Sequence, residues 1–79
     1  MRTIQFFYKS DSDKAPKIMA DICAGTQRAP ATVYKWMNGE RVPCYLEQRF
    51  IQKVIRKYFE QLVPLEELFY NSNATENDN

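Results

Sequence analysis

Histidine is missing from this chain, and cysteine and glycine occur only twice each. Without histidine, the commonest general base and the commonest zinc ligand are gone. Cys23 and Cys44 stand too far apart to form a C-x-x-C pair, and a zinc site needs more ligands than two thiols. They read as reduced, mostly buried thiols. Gly25 and Gly39 cannot make a phosphate-cradling loop. The acids are scattered, and Ser10 and Ser12 have no base nearby in sequence. The expectation is therefore a protein that is not an enzyme and takes no metal or other cofactor. Two glycines and four prolines also disfavour a fold rich in β-turns. No apolar run is long enough for a signal peptide or a membrane span, so the expected setting is the cytoplasm, with no membrane partner.

What is present fits one small globular domain. The chain has 79 residues, 44% hydrophobic and 27% charged, which is the balance of an ordinary folded protein rather than a disordered one. Its net charge of +1 conceals an asymmetry. All eleven lysines and arginines lie within residues 1–59, against five acids, whereas 60–79 carries five acids and no base. A basic body with an acidic end points to a polyanionic partner.

The apolar periodicity reads as four to five short helices, an all-α fold. The first segment, with Ile4, Phe6, Phe7 and Tyr8, is read as helical. A second helix is predicted over 14–24, with Asp13 as its N-cap, Pro16 in its first turn and Gly25 closing it. Ile18, Met19, Ile22 and Cys23 share one face of it. A third helix is predicted over 29–38, with Pro30 in its first turn, a thin apolar seam of Val33, Trp36 and Met37, and Gly39 after it. A fourth is predicted over 45–62. Leu46, Phe50, Val54 and Tyr58 run beside Ile51, Ile55, Phe59 and Leu62 in a wide apolar stripe. Arg49, Lys53, Arg56 and Lys57 lie mostly opposite and read as a solvated face. Pro64 leads into a short fifth helix over 64–70. Residues 1–70 are expected to form the domain, and the acidic stretch 71–79 to be a disordered tail.

Two short helices joined by a brief turn, the second with a narrow inner seam and small residues at its start, describe a helix-turn-helix. The run from Ala31 to Pro43 carries a Thr-Val pair (Thr32, Val33) and the spacing W-x-x-G-x-x-x-P in Trp36, Gly39 and Pro43. This resembles the recognition helix and exit loop of Cro-type, phage-repressor-like (XRE) helix-turn-helix DNA-binding domains. The resemblance covers about residues 14–62 and implies a lambda-repressor-like fold. It departs from the pattern in one place. The family's turn glycine precedes the recognition-helix valine by about six residues, whereas Gly25 precedes Val33 by eight. Either the turn is longer here, or Gly25 is not the equivalent residue.

The resemblance implies double-stranded DNA as partner and transcriptional regulation as role, with a homodimer on a two-fold site as the usual arrangement. It places Gln27 and Arg28 before the recognition helix, at phosphates or a base edge, and Thr32 against a base or a thymine methyl. Tyr34 and Lys35 point outward towards phosphates, Asn38 touches DNA or caps the helix end, and Arg41 reaches backbone from the exit loop. Lys17, with Lys14, would face phosphate at the start of the second helix. Trp36 reads as core. A competing reading keeps the helical scaffold as a protein-interaction module, marked by an apolar patch built from helix five and the N-terminal aromatics. Those two segments are also the candidate dimer surfaces.

Overall fold

The computed structural model describes residues 3–69, and these form five helices and no strand. They are α1 (Ile4–Ser10), α2 (Ala15–Thr26), α3 (Pro30–Met37), α4 (Tyr45–Phe59) and α5 (Leu65–Leu68). The expected tail 71–79, and Tyr70, lie outside the described residues.

Each helix is amphipathic enough to bury one edge. α1 inserts Ile4 and Phe7, α2 inserts Ile18 and Ile22, α3 Val33, Trp36 and Met37, and α4 Ile51, Val54 and Ile55. α2 sits at the centre, packing chiefly on α4 and α3, while α1 reaches α3 and α5 reaches α4. Phe7 closes against Phe59 at 4.9 Å between ring centroids, tying the first helix to the end of the fourth. No described helix is long and apolar enough to cross a membrane.

Several boundaries differ from the sequence expectation. Asp13 does not cap α2, whose N-cap is Lys14 with no side-chain cap bond; it is Asp11 whose carboxylate accepts from the backbone N–H groups of Asp13 at 2.9 Å and Lys14 at 3.3 Å, in the turn before the helix. The short polar turn is therefore closed from its first residue rather than its third. α2 then runs past Gly25 to Thr26. Gly25 serves packing instead, because a Cβ there would fall inside the ring of Phe50 on α4. α4 stops at Phe59, with Glu60 in the left-handed region at φ 56°. Leu46 and Leu62, expected on its apolar stripe, are 74% and 65% exposed. Leu62 falls beyond the helix, and Leu46 lies at the rim, outside the arc that meets α2.

The side-chain amides of α4 hold the chain on both sides of the helix. Gln48 donates to the Pro43 carbonyl at 2.9 Å, and Gln52 donates to the Val63 carbonyl at 2.7 Å. These bonds fold the flanking loops onto the helix. Val63, Leu68 and Phe69 are consequently buried. The fifth helix is thus core, and with Phe7 also buried, the apolar patch expected from helix five and the N-terminus is not formed among the described residues; Phe6 stays half exposed. The thiols also differ from expectation, since Cys44 is exposed and Cys23 only partly covered; both are free.

Candidate nucleic-acid interface

The turn that aims α3 is set by Gln27. It adopts φ 57°, ψ 34°, and its N–H donates to the Cys23 carbonyl, ending α2. This is the left-handed conformation that glycine usually supplies. Gly25 lies within α2, and the left-handed residue comes two positions later, six residues before Val33. Arg28 and Ala29 then extend the chain, and Pro30 opens α3 at a position where its missing N–H costs nothing.

α3 is anchored on one side only. Val33 and Met37 are fully buried and Trp36 nearly so. At 3.6 residues per turn, Ala31, Lys35 and Asn38 fall opposite that seam, at i, i+4 and i+7. All three are exposed. No acidic residue occurs within α3. The face is also slim at its start, where Ala29, Pro30 and Ala31 present little bulk.

The remaining expected DNA-facing residues are distributed around that stripe. Thr32 is half-buried on one flank. Tyr34 lies on the other flank, half exposed, with its ring edge-to-face with Tyr8 of α1 at 6.2 Å. Burial, and the neighbouring Tyr34 phenol, raise the Tyr8 hydroxyl above its ordinary value. Tyr34 therefore joins α3 to α1 as well as facing solvent. Gln27 is exposed in the turn. Arg41 is exposed in the exit loop, where the N–H groups of Glu40 and Arg41 both return to the Lys35 carbonyl, at 2.8 and 3.4 Å. This fold-back closes the exit loop on the C-terminal end of α3; Arg41 lines a small cavity with Trp36, Leu68 and Thr3, and Glu40 is exposed next to it. Lys17 is exposed on the outer face of α2 with Ala20 and Ala24. Lys14, by contrast, is drawn inward, 3.7 Å from the Asp11 carboxylate and 4.7 Å from the Phe59 ring centroid.

Arg28 has a protein partner that sequence reasoning missed. Its Nε donates to Glu47 Oε2 at 2.6 Å, while Glu47 Oε1 accepts from the Cys44 N–H at 3.0 Å. Partial burial pushes the Glu47 carboxyl up, but the hydrogen bonds from Arg28 and Cys44 outweigh it and leave it below its ordinary range. The spacing from Cys44 to Glu47 is that of a capping pair and is visible in the sequence; the link to Arg28, 19 positions away, is not. A second missed cluster joins α2 to α4. The Tyr58 hydroxyl donates to Asp21 at 2.6 Å and the Lys57 ammonium to the same oxygen at 3.1 Å. Tyr58 first, then Lys57, hold the Asp21 carboxyl below its ordinary range.

The assembled surface is a slender helix edge with Lys35 at its centre and Asn38 beside it, flanked by the Gln27 amide, the Thr32 and Tyr34 hydroxyls and the cations Lys17 and Arg28, with Arg41 in the exit loop. Among the described residues no three potential metal ligands come together. No protein-family model matches this sequence, and no curated protein and no solved structure is significantly similar to it.

Proposed function

We propose that this chain binds double-stranded DNA sequence-specifically, with α3 as recognition helix, and acts in transcriptional regulation in the cytoplasm. The observation that carries the reading is the exposed Ala31–Lys35–Asn38 stripe, opposite the Val33–Trp36–Met37 seam and free of acidic residues. A helix braced from one side, with small residues leading, suits a major groove about 12 Å wide.

Lys35 and Asn38 are the base-reading candidates, since an ammonium reads guanine acceptors and an amide reads adenine. Gln27 and Thr32 approach the groove from the N-terminal side. Lys17 and Arg41 neutralise phosphates on either side of it, and the outer edge of Tyr34 adds a hydroxyl. Arg28, oriented through its Nε by Glu47, contributes charge at the turn. The left-handed turn at Gln27, six residues before Val33, supports the helix-turn-helix geometry that the resemblance implies. The competing reading, a protein-interaction module, calls for an apolar patch whose main members are buried here.

The test is a selection from random duplexes at near-physiological salt, followed by affinity measured against salt. Enrichment of a defined sequence, with affinity falling steeply as salt rises, supports the proposal. A pool that stays random, with binding confined to low salt, overturns it.

A further inference from the structure

Two surfaces outside the α3 face carry opposite charge beside exposed apolar residues. The first is an open groove between α2 and α4. Its floor is Gly25, Phe50 and Val54, its α4 rim is Lys53 and Lys57, and Asp21 lies across it on α2. Lys57 neutralises that one acid. The exposed Leu46 lies one helical turn before Phe50, on the rim of α4 beside this groove. Lys53 is the second cation of the rim, with Arg49 and Arg56 on the same outer side of α4.

The second surface is the segment after α4. Leu62 stands 65% exposed, between the exposed Glu60 and Glu66. It is not a loose loop tip. Glu60 turns the chain at φ 56°, Gln52 holds the Val63 carbonyl at 2.7 Å, and the Val63 side chain is fully buried one residue later. The backbone on both sides of Leu62 is fixed, so the leucine is presented outward as a ready-made apolar knob with acidic flanks. Holding an interface residue in place beforehand removes part of the cost of association.

We propose that this knob docks into the α2–α4 groove of a second copy of this chain, Leu62 on Phe50 and Leu46, with Glu60 and Glu66 facing Lys53 and Arg49. Each contact uses one knob and one groove, so two copies can exchange knob for groove in a two-fold pair, or pass the contact on along a row of copies. The contact involves far fewer residues than the roughly 20–30 a side of a stable interface, so free chains associate weakly. Copies bound side by side on one support meet at an effective concentration of about millimolar. The self-association itself stands without DNA and is tested without it.

The experiment is sedimentation equilibrium of the full chain over a wide concentration range at low and moderate salt. The expected result is a weight-average mass that rises above the monomer with concentration and falls back when salt is raised. Lys53→Glu and Glu60→Lys each reverse one member of the pair at an exposed position, and each alone should return the chain to monomer with an unchanged far-UV spectrum and Tm. Mixing the two variants should restore association, since each knob then meets an oppositely charged groove. A native chain that stays monomeric throughout, or a mixture that fails to reassociate, overturns the proposal.

Discussion

Arg28 and Glu47 form a bond between the turn that precedes α3 and the first turn of α4: Nε to Oε2, 2.6 Å, with the Arg28 side chain 52% exposed and Glu47 13%. The carboxylate also accepts the Cys44 N–H at the start of α4. The two partners are thus unequal. Removing Arg28 loses an ion pair of about 0–1 kcal/mol. Removing Glu47 also strips the N-terminal hydrogen bond of α4, which is worth roughly 0.5–2 kcal/mol. Chemical denaturation should show Glu47→Ala losing more stability than Arg28→Ala, and the reverse order would mean the cap is idle.

The same carboxylate makes stability depend on acid. The folded protein holds Glu47 below its ordinary value of 4.5 and Asp21 below its ordinary 3.8. A carboxyl depressed by folding contributes fully above its unfolded value, and the contribution is lost as pH falls through the lower folded one. Tm measured from neutral pH downward should hold until those ordinary values are reached and then drop. Glu47→Gln should flatten the upper part of that fall; an unchanged profile contradicts the assignment.

Gly25 and Phe50 should behave as a coupled pair. Gly25→Ala gains about 1 kcal/mol of helix propensity, but its methyl must push the Phe50 ring aside, at roughly 1–3 kcal/mol. The expected sign is a net loss in the native protein and a net gain in Phe50→Ala. A double-mutant cycle reads this directly, and additive values would place the ring elsewhere.

Gln27 holds a conformation that costs a non-glycine residue about 1–2 kcal/mol. Gln27→Gly should therefore keep or raise the melting temperature, and Gln27→Val, β-branched at positive φ, should lower it. If valine is tolerated as well as glycine, the turn is not left-handed there.

Trp36 and Lys35 test the two sides of α3. Trp36→Ala removes the largest side chain in the seam and should cost roughly 3–5 kcal/mol, unfolding or badly loosening so small a domain. Lys35→Ala should leave Tm nearly unchanged and weaken duplex binding. If Lys35 reads a base, the variant relaxes preference at one position of the site by about 1–3 kcal/mol. If it meets a phosphate, the variant lowers the salt slope by about 0.9. Affinity and salt slope that both match the native protein would remove Lys35 from the interface.

Periodicity, with proline and glycine as breakers, established the order of α2 to α4, the seam of Val33, Trp36 and Met37, and the outward direction of Lys35 and Asn38. Each of these follows from spacing along one helix, which a sequence displays directly. The segment of α1 is too short for periodicity to decide helix against strand. Periodicity was less able to say where helices end. Asp11 rather than Asp13 closes the turn before α2, and Gln27 rather than Gly25 takes the left-handed residue, because a cap is chosen by local hydrogen bonding that several neighbouring residues can satisfy.

Tertiary packing decided the rest. Whether Gly25 is a stop signal or a clearance for an aromatic ring depends on Phe50, which lies on another helix. Whether Arg28 points freely into solvent depends on a glutamate 19 positions away. Leu62 and Leu68 are equally apolar, yet one is exposed and the other buried, because Gln52 holds the intervening backbone against α4. Packing between residues far apart along the chain comes into being only when the helices dock, so no local pattern encodes it.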